Sequence, residues 1–88
     1  MANDDPFGAI ADPTRREILR RLRDGPKPVV RLAEGLPVSR PAVSQHLKVL
    51  LDAGLVSLTP KGTSNIYALQ KEGFVQVLRW IDEMWAED

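Results

Sequence analysis

Apolar residues recur at helical intervals in the stretch DPTRREILRRLRDG. Ile18, Leu19 and Leu22 fall on one side of a helix drawn through it. Aspartate followed by proline is a typical helix start, and glycine is a typical helix exit. The pattern therefore predicts a helix that begins near Pro13 and ends before Gly25.

Two further helical patterns follow, separated by a tight turn at LPVS. The first, VVRLAEGL, is short and is interrupted by a glycine and followed by a proline. The second, SRPAVSQHLKVLLDAG, opens with Ser39 as a capping residue and closes with Gly54. Two helices joined by a tight turn predict a helix-turn-helix over about residues 29–53.

The apolar period changes after the second of these helices. LVSLTP and NIYAL are short stretches rich in β-branched or aromatic residues, and the polar, glycine-containing KGTS lies between them. This pattern predicts a β-hairpin over about residues 55–69. The expected fold is therefore mainly helical with a small hairpin, a helix-turn-helix followed by a wing.

KEGFVQVLRWIDEMWAED carries the last helical pattern, over about residues 71–86. Its apolar stripe is wide, because Trp80 lies about 100° from Ile81 around the helix. The stripe either covers the chain's own core or packs against a second copy. The second copy is favoured, because 88 residues without disulfides form a marginal core.

The predicted homodimer interface combines this last helix with DPFGAIA, a predicted short helical segment near the N-terminus. Its residues are Phe7, Ile10, Phe74, Val77, Leu78, Trp80, Ile81, Met84 and Trp85.

The outward side of the second helix of the helix-turn-helix carries residue types that read DNA. With about 100° per residue, Gln45 and Lys48 lie opposite the apolar side that holds Val43 and Leu47. Glutamine pairs with adenine, arginine with guanine, serine with either base, and lysine with phosphates. Although any solvated helix could carry such residues, double-stranded DNA is the predicted partner.

The twelve basic and twelve acidic residues cancel, but they are segregated along the chain. Residues 13–61 hold ten Lys or Arg against four acids, a net charge of +6, while residues 1–12 and 62–88 each carry −3. A basic centre with acidic ends suits a polyanion approached from one side. Solvation of helix surfaces by arginine is an equally good explanation of the charge count alone.

The arginines of RREILRRLR have two interpretations. Arg15 and Arg16 lie near the start of their helix, where they can contact phosphates. Arg20, Arg21 and Arg23 lie near its end, where they complement the helix dipole and can pair with acids. The sequence leaves both interpretations open.

ADPTRREIL, RLAEGLPVSRPAVSQHLKVLLDAGLV and IYAL resemble, in order and spacing, the ArsR-type winged helix-turn-helix transcriptional regulators of bacteria. The resemblance covers nearly the whole chain. It implies a homodimer joined through the first and last helices, with the second helix of the helix-turn-helix in the major groove and the wing near the DNA backbone. The expected function is a repressor at an inverted-repeat operator, and the alternative is a winged helix that binds protein.

Positions in the helix that the resemblance places in the major groove match the family's DNA-reading stretch, and the wing adds two more. The predicted DNA-contacting residues are Ser39, Arg40, Pro41, Ser44, Gln45, His46, Lys48, Lys61 and Thr63.

Three departures from the family pattern bear on affinity for phosphates. Leu51 stands where a basic residue is common, Pro37 replaces a turn glycine, and the wing KGTSN lacks the arginine usual after its glycine. Phosphate affinity is therefore expected to be modest.

Metal sensing, known in this family, is not expected here. The chain has no cysteine and one histidine, so the cysteine pairs or histidine-rich ligand sets of metal sensors cannot be assembled. His46 is instead expected either to be a partly buried hydrogen-bonding residue beside the DNA-reading face or to contact a phosphate. No metal and no cofactor is predicted.

Catalysis is not expected either. Ser44 and His46 are a nucleophile and a base by type, but residues i and i+2 lie about 200° apart on a helix and cannot hydrogen-bond each other. Gly62 is alone in the hairpin, so there is no phosphate-binding glycine loop. The chain is therefore not predicted to be an enzyme.

Location and regulation follow only in outline. No apolar stretch approaches the about 18 residues of a membrane span, and the N-terminus MANDDPFGAIADPT is acidic, whereas a signal peptide begins with basic residues. A soluble cytoplasmic protein without membrane insertion is predicted. The release trigger stays open between a small-molecule effector, a sequestering protein and concentration alone.

Overall fold

The computed structural model describes residues 5–86, so Asp4, Glu87 and Asp88 of the acidic ends lie outside the described residues. Within this range the chain forms five α-helices and a three-stranded antiparallel sheet. The helices are α1 Pro6–Ala9, α2 Pro13–Arg21, α3 Val29–Ala33, α4 Arg40–Asp52 and α5 Lys71–Glu83, and the strands are β1 Lys27–Pro28, β2 Val56–Lys61 and β3 Ser64–Leu69. The predicted class, mainly helical with a small hairpin, is confirmed.

The two long helices of the first half begin at the predicted capping residues. The Asp12 carboxylate accepts from the backbone N–H of Arg15 at 3.0 Å, and the Ser39 hydroxyl accepts from the backbone N–H of Ala42 at 3.2 Å. Each cap satisfies a donor that the first helical turn leaves without a partner, and a proline in that turn removes another. Both helix starts are thus determined by local sequence.

α4 ends in a glycine exit that turns the chain into the sheet. Gly54 has φ +74°, in the left-handed region. Its N–H donates to the Leu51 carbonyl at 3.1 Å, and the N–H of Leu55 donates to the Leu50 carbonyl at 3.0 Å. This pair of bonds is the Schellman arrangement, in which glycine avoids the steric penalty of positive φ.

The predicted wing is a two-stranded antiparallel hairpin, with Val56 opposite Leu69 and Lys61 opposite Ser64. Gly62, at φ +62°, and Thr63 form the turn between the strands. Lys61 therefore ends a strand and Thr63 lies at the wing tip.

The sequence did not predict the third strand, β1, where Lys27 lies opposite Tyr67 and Pro28 opposite Ile66. The strand order is β1-β3-β2, so β1 and β2 are the two edges of the sheet. Proline lacks the N–H that a central strand needs, and it is tolerated at an edge. The two prolines of GPKP therefore suggested a loop although the segment can pair on one side.

Three helices are shorter than predicted. α2 gives way to a 3₁₀ turn, Leu22–Asp24, before the glycine exit. α3 ends at Ala33 because Gly35, at φ +73°, reverses the chain, and the N–H of Leu36 donates to the Ala33 carbonyl at 3.1 Å. α5 ends at Glu83, so Met84 and Trp85 lie in the turn that follows it.

The core gathers residues from the helices and from the entry to β2. Those buried from α4 are Val43, Leu47 and Leu50, which lie on a single side of the helix. The buried apolar residues are Ala9, Ile18, Leu19, Leu22, Leu32, Val43, Leu47, Leu50, Ala53, Leu55 and Val56. This burial determines which side of α4 faces solvent.

α5 is attached at its first turn to the exit of α4. The N–H of Gly73 donates to the Gly54 carbonyl at 2.8 Å, and the N–H of Gln70 donates to the Leu55 carbonyl at 3.0 Å. A Cβ atom at Gly73 would lie 2.6 Å from the Ala53 carbonyl oxygen. Only glycine permits this approach of the two backbones.

A second contact holds α5 against α1. The rings of Phe7 and Trp80 pack edge to face, with centroids 5.7 Å apart and planes at 78°. Such aromatic pairs stabilise beyond the area they bury, by about 0.5–1.5 kcal/mol. The N-terminal segment and the last helix are therefore joined within one chain.

Most of the apolar stripe on α5 is exposed in the single chain. Leu78 is 57% exposed and Trp85 79% exposed, whereas Ile10 and Val77 are half-buried. The exposed members of the predicted interface, here called the α5 apolar surface, are Phe7, Phe74, Leu78, Trp80, Ile81, Met84 and Trp85. The single chain therefore leaves much of this stripe uncovered.

Within residues 5–86, no helix has the length and apolar character required to cross a membrane.

Gly73→Ala is expected to lower the free energy of unfolding by about 1–3 kcal/mol, because the new methyl group forces α5 away from α4. The sign is diagnostic, since alanine in a helix otherwise gains about 1 kcal/mol over glycine. Urea unfolding at one protein concentration measures the change. Gln76→Ala, on the exposed side of the same helix, is the control and should be near neutral. A Gly73→Ala protein as stable as the parent would show that this close approach does not constrain the fold.

Candidate nucleic-acid interface

The outward face of α4 is a row of exposed polar and cationic side chains. Arg40, Ser44, Gln45 and Lys48 are all exposed, as is Pro41 in the first turn. The apolar residues of the same helix are buried on the other side. The structure thus brings five of the predicted DNA-contacting residues onto one solvent-facing surface.

The wing tip lies beside the start of α4. Arg40, Thr63, Ser64 and Asn65 line one groove, whose other wall is made by the start of α3. Lys61 is exposed at the end of β2 but does not line this groove. Ser64 and Asn65 were not among the predicted residues, although their place next to the turn of a polar hairpin could have indicated them.

Two predicted residues already have partners within the chain. The Ser39 hydroxyl caps α4 and retains its own hydrogen for donation. The Lys48 ammonium lies 3.0 Å from the Asp52 carboxylate, one turn further along the helix. Contact between Lys48 and a phosphate therefore requires exchange of one anion for another.

His46 differs from the other predicted residues because it is half-buried at the flank of α4. Its Nδ1 lies 3.2 Å from Nη1 of Arg15 in α2. The expected hydrogen bond beside the DNA-reading face is therefore present. Its partner could not be identified from sequence, because the two residues are 31 positions apart.

Known proteins resemble this chain over most of its length. A family model described as a helix-turn-helix domain matches residues 10–59. The HTH-type transcriptional regulator Rv2034 of Mycobacterium tuberculosis is 50% identical over 82 residues, covering 93% of this chain and 77% of that protein. The transcriptional repressor SdpR of Bacillus subtilis is 36% identical over 75 residues, covering 85% of this chain and 83% of SdpR.

The crystal structure of an ArsR family transcriptional regulator superposes on this fold with a TM-score of 0.85 and 36% sequence identity, covering 91% of this chain and 82% of that one. The chain belongs to the ArsR family of winged helix-turn-helix regulators. The resemblance inferred from sequence motifs is thereby confirmed, and with it the class of function, transcriptional regulation. This family consists of transcriptional regulators and not of enzymes.

In this ArsR family chain, the first two arginines of α2 donate hydrogen bonds to backbone carbonyls. Arg16 Nη1 donates to the carbonyls of Ile10 and Ala11 at 2.8 and 3.0 Å. Arg15 Nε donates to the Ala9 carbonyl at 2.7 Å. These bonds satisfy carbonyls that the end of the short helix α1 leaves free. Both guanidinium groups are therefore engaged with backbone carbonyls of the same chain.

The later arginines of α2 pair with an acid, as the second interpretation expects. Arg20 and Arg21 lie 3.1 and 3.3 Å from the Glu17 carboxylate. Their hydrogen bonds, that from Arg20 first, lower the pKa of Glu17. Arg21 also donates to the carbonyls of Leu32 and Glu34, which ties α2 to the end of α3. Several of the positively charged side chains in the centre of the sequence therefore have partners within the chain.

Asp12 sits at the junction of this network. The backbone N–H of Arg15 lowers the pKa of its carboxyl, and the nearby charge of the Arg15 guanidinium lowers it further. Burial acts in the opposite direction. An ionised Asp12 thus caps α2 and complements the Arg15 guanidinium.

The described part of the chain contains no cluster of side chains that could act as metal ligands. No three side chains among histidine, aspartate and glutamate come together there in a way that could hold an ion.

Proposed function

We propose that this ArsR family chain is a sequence-specific repressor that binds duplex DNA as a homodimer, with α4 in the major groove. The observation that carries the proposal is the division of α4 into a side that buries Val43, Leu47 and Leu50 and an exposed side whose residue types can read bases. The wing, which shares a groove with Arg40, supplies a second contact element on the same side.

Physical dimensions support this docking. An α-helix with side chains is about 10–12 Å across, and the major groove of B-DNA is about 12 Å wide. Arg40, Ser44 and Gln45 lie in the first half of α4, the part of a recognition helix that meets base edges. Lys61 and Thr63 of the wing are then placed to meet the sugar-phosphate backbone.

The charged residues indicate a moderate electrostatic contribution to the free energy of DNA binding. The arginines of α2 bind carbonyls or Glu17, and Lys48 pairs with Asp52. Exposed ion pairs contribute only about 0–1 kcal/mol, so Lys48 can exchange Asp52 for a phosphate at little cost. Sequence-dependent contacts from Gln45 and Arg40 are therefore expected to carry more of the affinity than in a protein with many free cations.

The α5 apolar surface supports the homodimer. It holds two tryptophans and several aliphatic residues that are exposed in the single chain. Large exposed apolar patches usually mark interaction sites. A twofold dimer would present two α4 helices about one DNA turn, roughly 34 Å, apart and would prefer an inverted repeat.

The chain has no proposed catalytic role, and it acts where chromosomal DNA is accessible, in the cytoplasm. The signal that releases it from DNA, whether a small molecule or a sequestering protein, is not identified by the residues of the site.

Gln45→Ala is expected to cost about 1–3 kcal/mol of binding free energy on the preferred duplex and to relax the preference at one base position in each half-site. Lys48→Ala should instead weaken binding to every duplex alike and reduce the salt dependence. Fluorescence anisotropy over a salt series measures both, using a duplex selected from a random pool and a scrambled one. Asp52→Asn, which frees Lys48 from its partner, is the matched control and should strengthen binding to both duplexes. If all three proteins bind like the parent, the surface of α4 does not read DNA, and a protein-binding winged helix takes the place of this proposal.

Sedimentation equilibrium at micromolar concentration is expected to give twice the chain mass of 9.8 kDa. Leu78→Asp should shift the equilibrium to monomer, because a carboxylate in the centre of the α5 apolar surface cannot be buried without a partner. Gln76→Asp adds the same charge to another exposed position of α5 and should leave the mass unchanged. A parent protein that sediments as a monomer throughout would contradict the dimer.

A further inference from the structure

One side chain, Arg15, links the N-terminal segment to the proposed DNA-reading helix. Its Nε donates to the Ala9 carbonyl at 2.7 Å and its Nη2 to the Gly8 carbonyl at 3.3 Å. Its Nη1 lies 3.2 Å from Nδ1 of His46 on α4. The backbone N–H of the same residue is held by the Asp12 carboxylate at 3.0 Å. The guanidinium is therefore fixed on three sides.

This geometry determines the tautomer of the imidazole. A guanidinium group has five N–H donors and no acceptor, so His46 Nδ1 must be the acceptor of their hydrogen bond. The hydrogen of the neutral ring is then on Nε2. Arg15 thus makes one nitrogen of His46 a donor and occupies the other.

We propose that Arg15 is a positioning residue for DNA binding, which holds His46 as the Nε2–H tautomer so that Nε2 donates to an acceptor on the duplex. This inference rests on the proposed function, since it assigns His46 a role at the same interface. Phosphate and sugar oxygens accept about half to two-thirds of protein hydrogen bonds to DNA, so a phosphate is the expected acceptor. Loss of a phosphate contact weakens binding to every sequence, whereas loss of a base contact weakens binding to particular sequences.

The same side chain connects this role with the α5 apolar surface. Trp80 packs edge to face on Phe7 of α1, and the carbonyls of the next two residues, Gly8 and Ala9, accept from Arg15. A second copy that covers Trp80 and Phe7 would therefore stabilise the segment that orients Arg15 and, through it, His46.

The histidine is unique in the chain, so its tautomer can be measured without assignment of competing signals. Long-range ¹H–¹⁵N correlation spectra over a pH series should show the parent protein with hydrogen on Nε2 once the ring is neutral. Arg15→Met, which keeps the length of the chain and removes its donors, should give a mixture of tautomers. Arg15→Lys, which restores one donor, should partly recover the parent spectrum.

Arg16→Met is the matched control. Arg16 is the neighbouring arginine and also binds backbone carbonyls, those of Ile10 and Ala11, but it makes no hydrogen bond to His46 among the described residues. The control should therefore keep the parent tautomer. A parent ring with hydrogen on Nδ1, or identical tautomer mixtures in Arg15→Met and Arg16→Met, would overturn the proposal.

DNA binding supplies the second measurement. Loss of the donor in His46→Ala should weaken binding to the selected duplex by about five- to tenfold, and His46→Gln, which offers an amide donor near the position of Nε2, should retain more affinity. Adding Arg15→Met to His46→Ala should cause little further loss, because both act through one contact. Independent, additive losses would show that Arg15 does not act through His46.

The two measurements separate this inference from the proposed function. If the parent binds no duplex DNA but shows the Nε2–H tautomer, the proposed function fails and the role of His46 at DNA fails with it, whereas the geometry of the pair stands. If the parent binds DNA and the tautomer is unaffected by Arg15→Met, the proposed function stands and the positioning role is wrong. Should Arg15→Met not fold, the tautomer of the parent and the comparison of His46→Ala with His46→Gln still decide the question.

Discussion

The burial of three residues of α4, Val43, Leu47 and Leu50, is the constraint on which the rest of the site depends. These side chains lie at helical intervals and contribute to the same core as α2 and α3. Because the helix cannot rotate without exposing them, its polar side must face solvent. A row of side chains that would be unremarkable on a mobile helix is thereby held in one orientation, as contact with the base edges of a duplex requires. Affinity for DNA is in this sense a consequence of core packing.

Two local devices position the elements around α4. At its start, Ser39 caps the helix, and the wing tip lies against Arg40. At its end, Gly54 turns the chain into the sheet, and Gly73 lets α5 approach closely enough for a backbone hydrogen bond. The second device has a consequence for assembly, because α5 is held at its first turn while most of its apolar residues stay exposed. The same exit that completes the helix proposed to read DNA therefore also positions the surface proposed to form the dimer.

Features that depend on neighbouring residues were predictable from the sequence, and features that depend on distant contacts were not. Caps, glycine exits and the apolar sides of helices follow from residues a few positions apart, so the winged helix-turn-helix and the outward face of α4 could be identified. The edge strand at Lys27 was missed because its proline-containing sequence resembles a loop until a partner strand is available. Which arginines of α2 bind carbonyls and which pair with Glu17 depends on tertiary structure. The contact from Arg15 to His46 had no sequence signal. The pair between Lys48 and Asp52 has the spacing of a helical ion pair and could have been expected.

The central claim is that the exposed side of α4 and the wing tip form the DNA interface, and chemical-shift mapping tests it most directly. The ¹⁵N-labelled protein would be titrated with a short duplex selected from a random pool, and with the scrambled duplex as a control. The account predicts that amide shifts change mainly within residues 39–48 and 61–65, and more strongly with the selected duplex. Shifts confined to α2 or α5, with those of α4 and the wing unchanged, would contradict it.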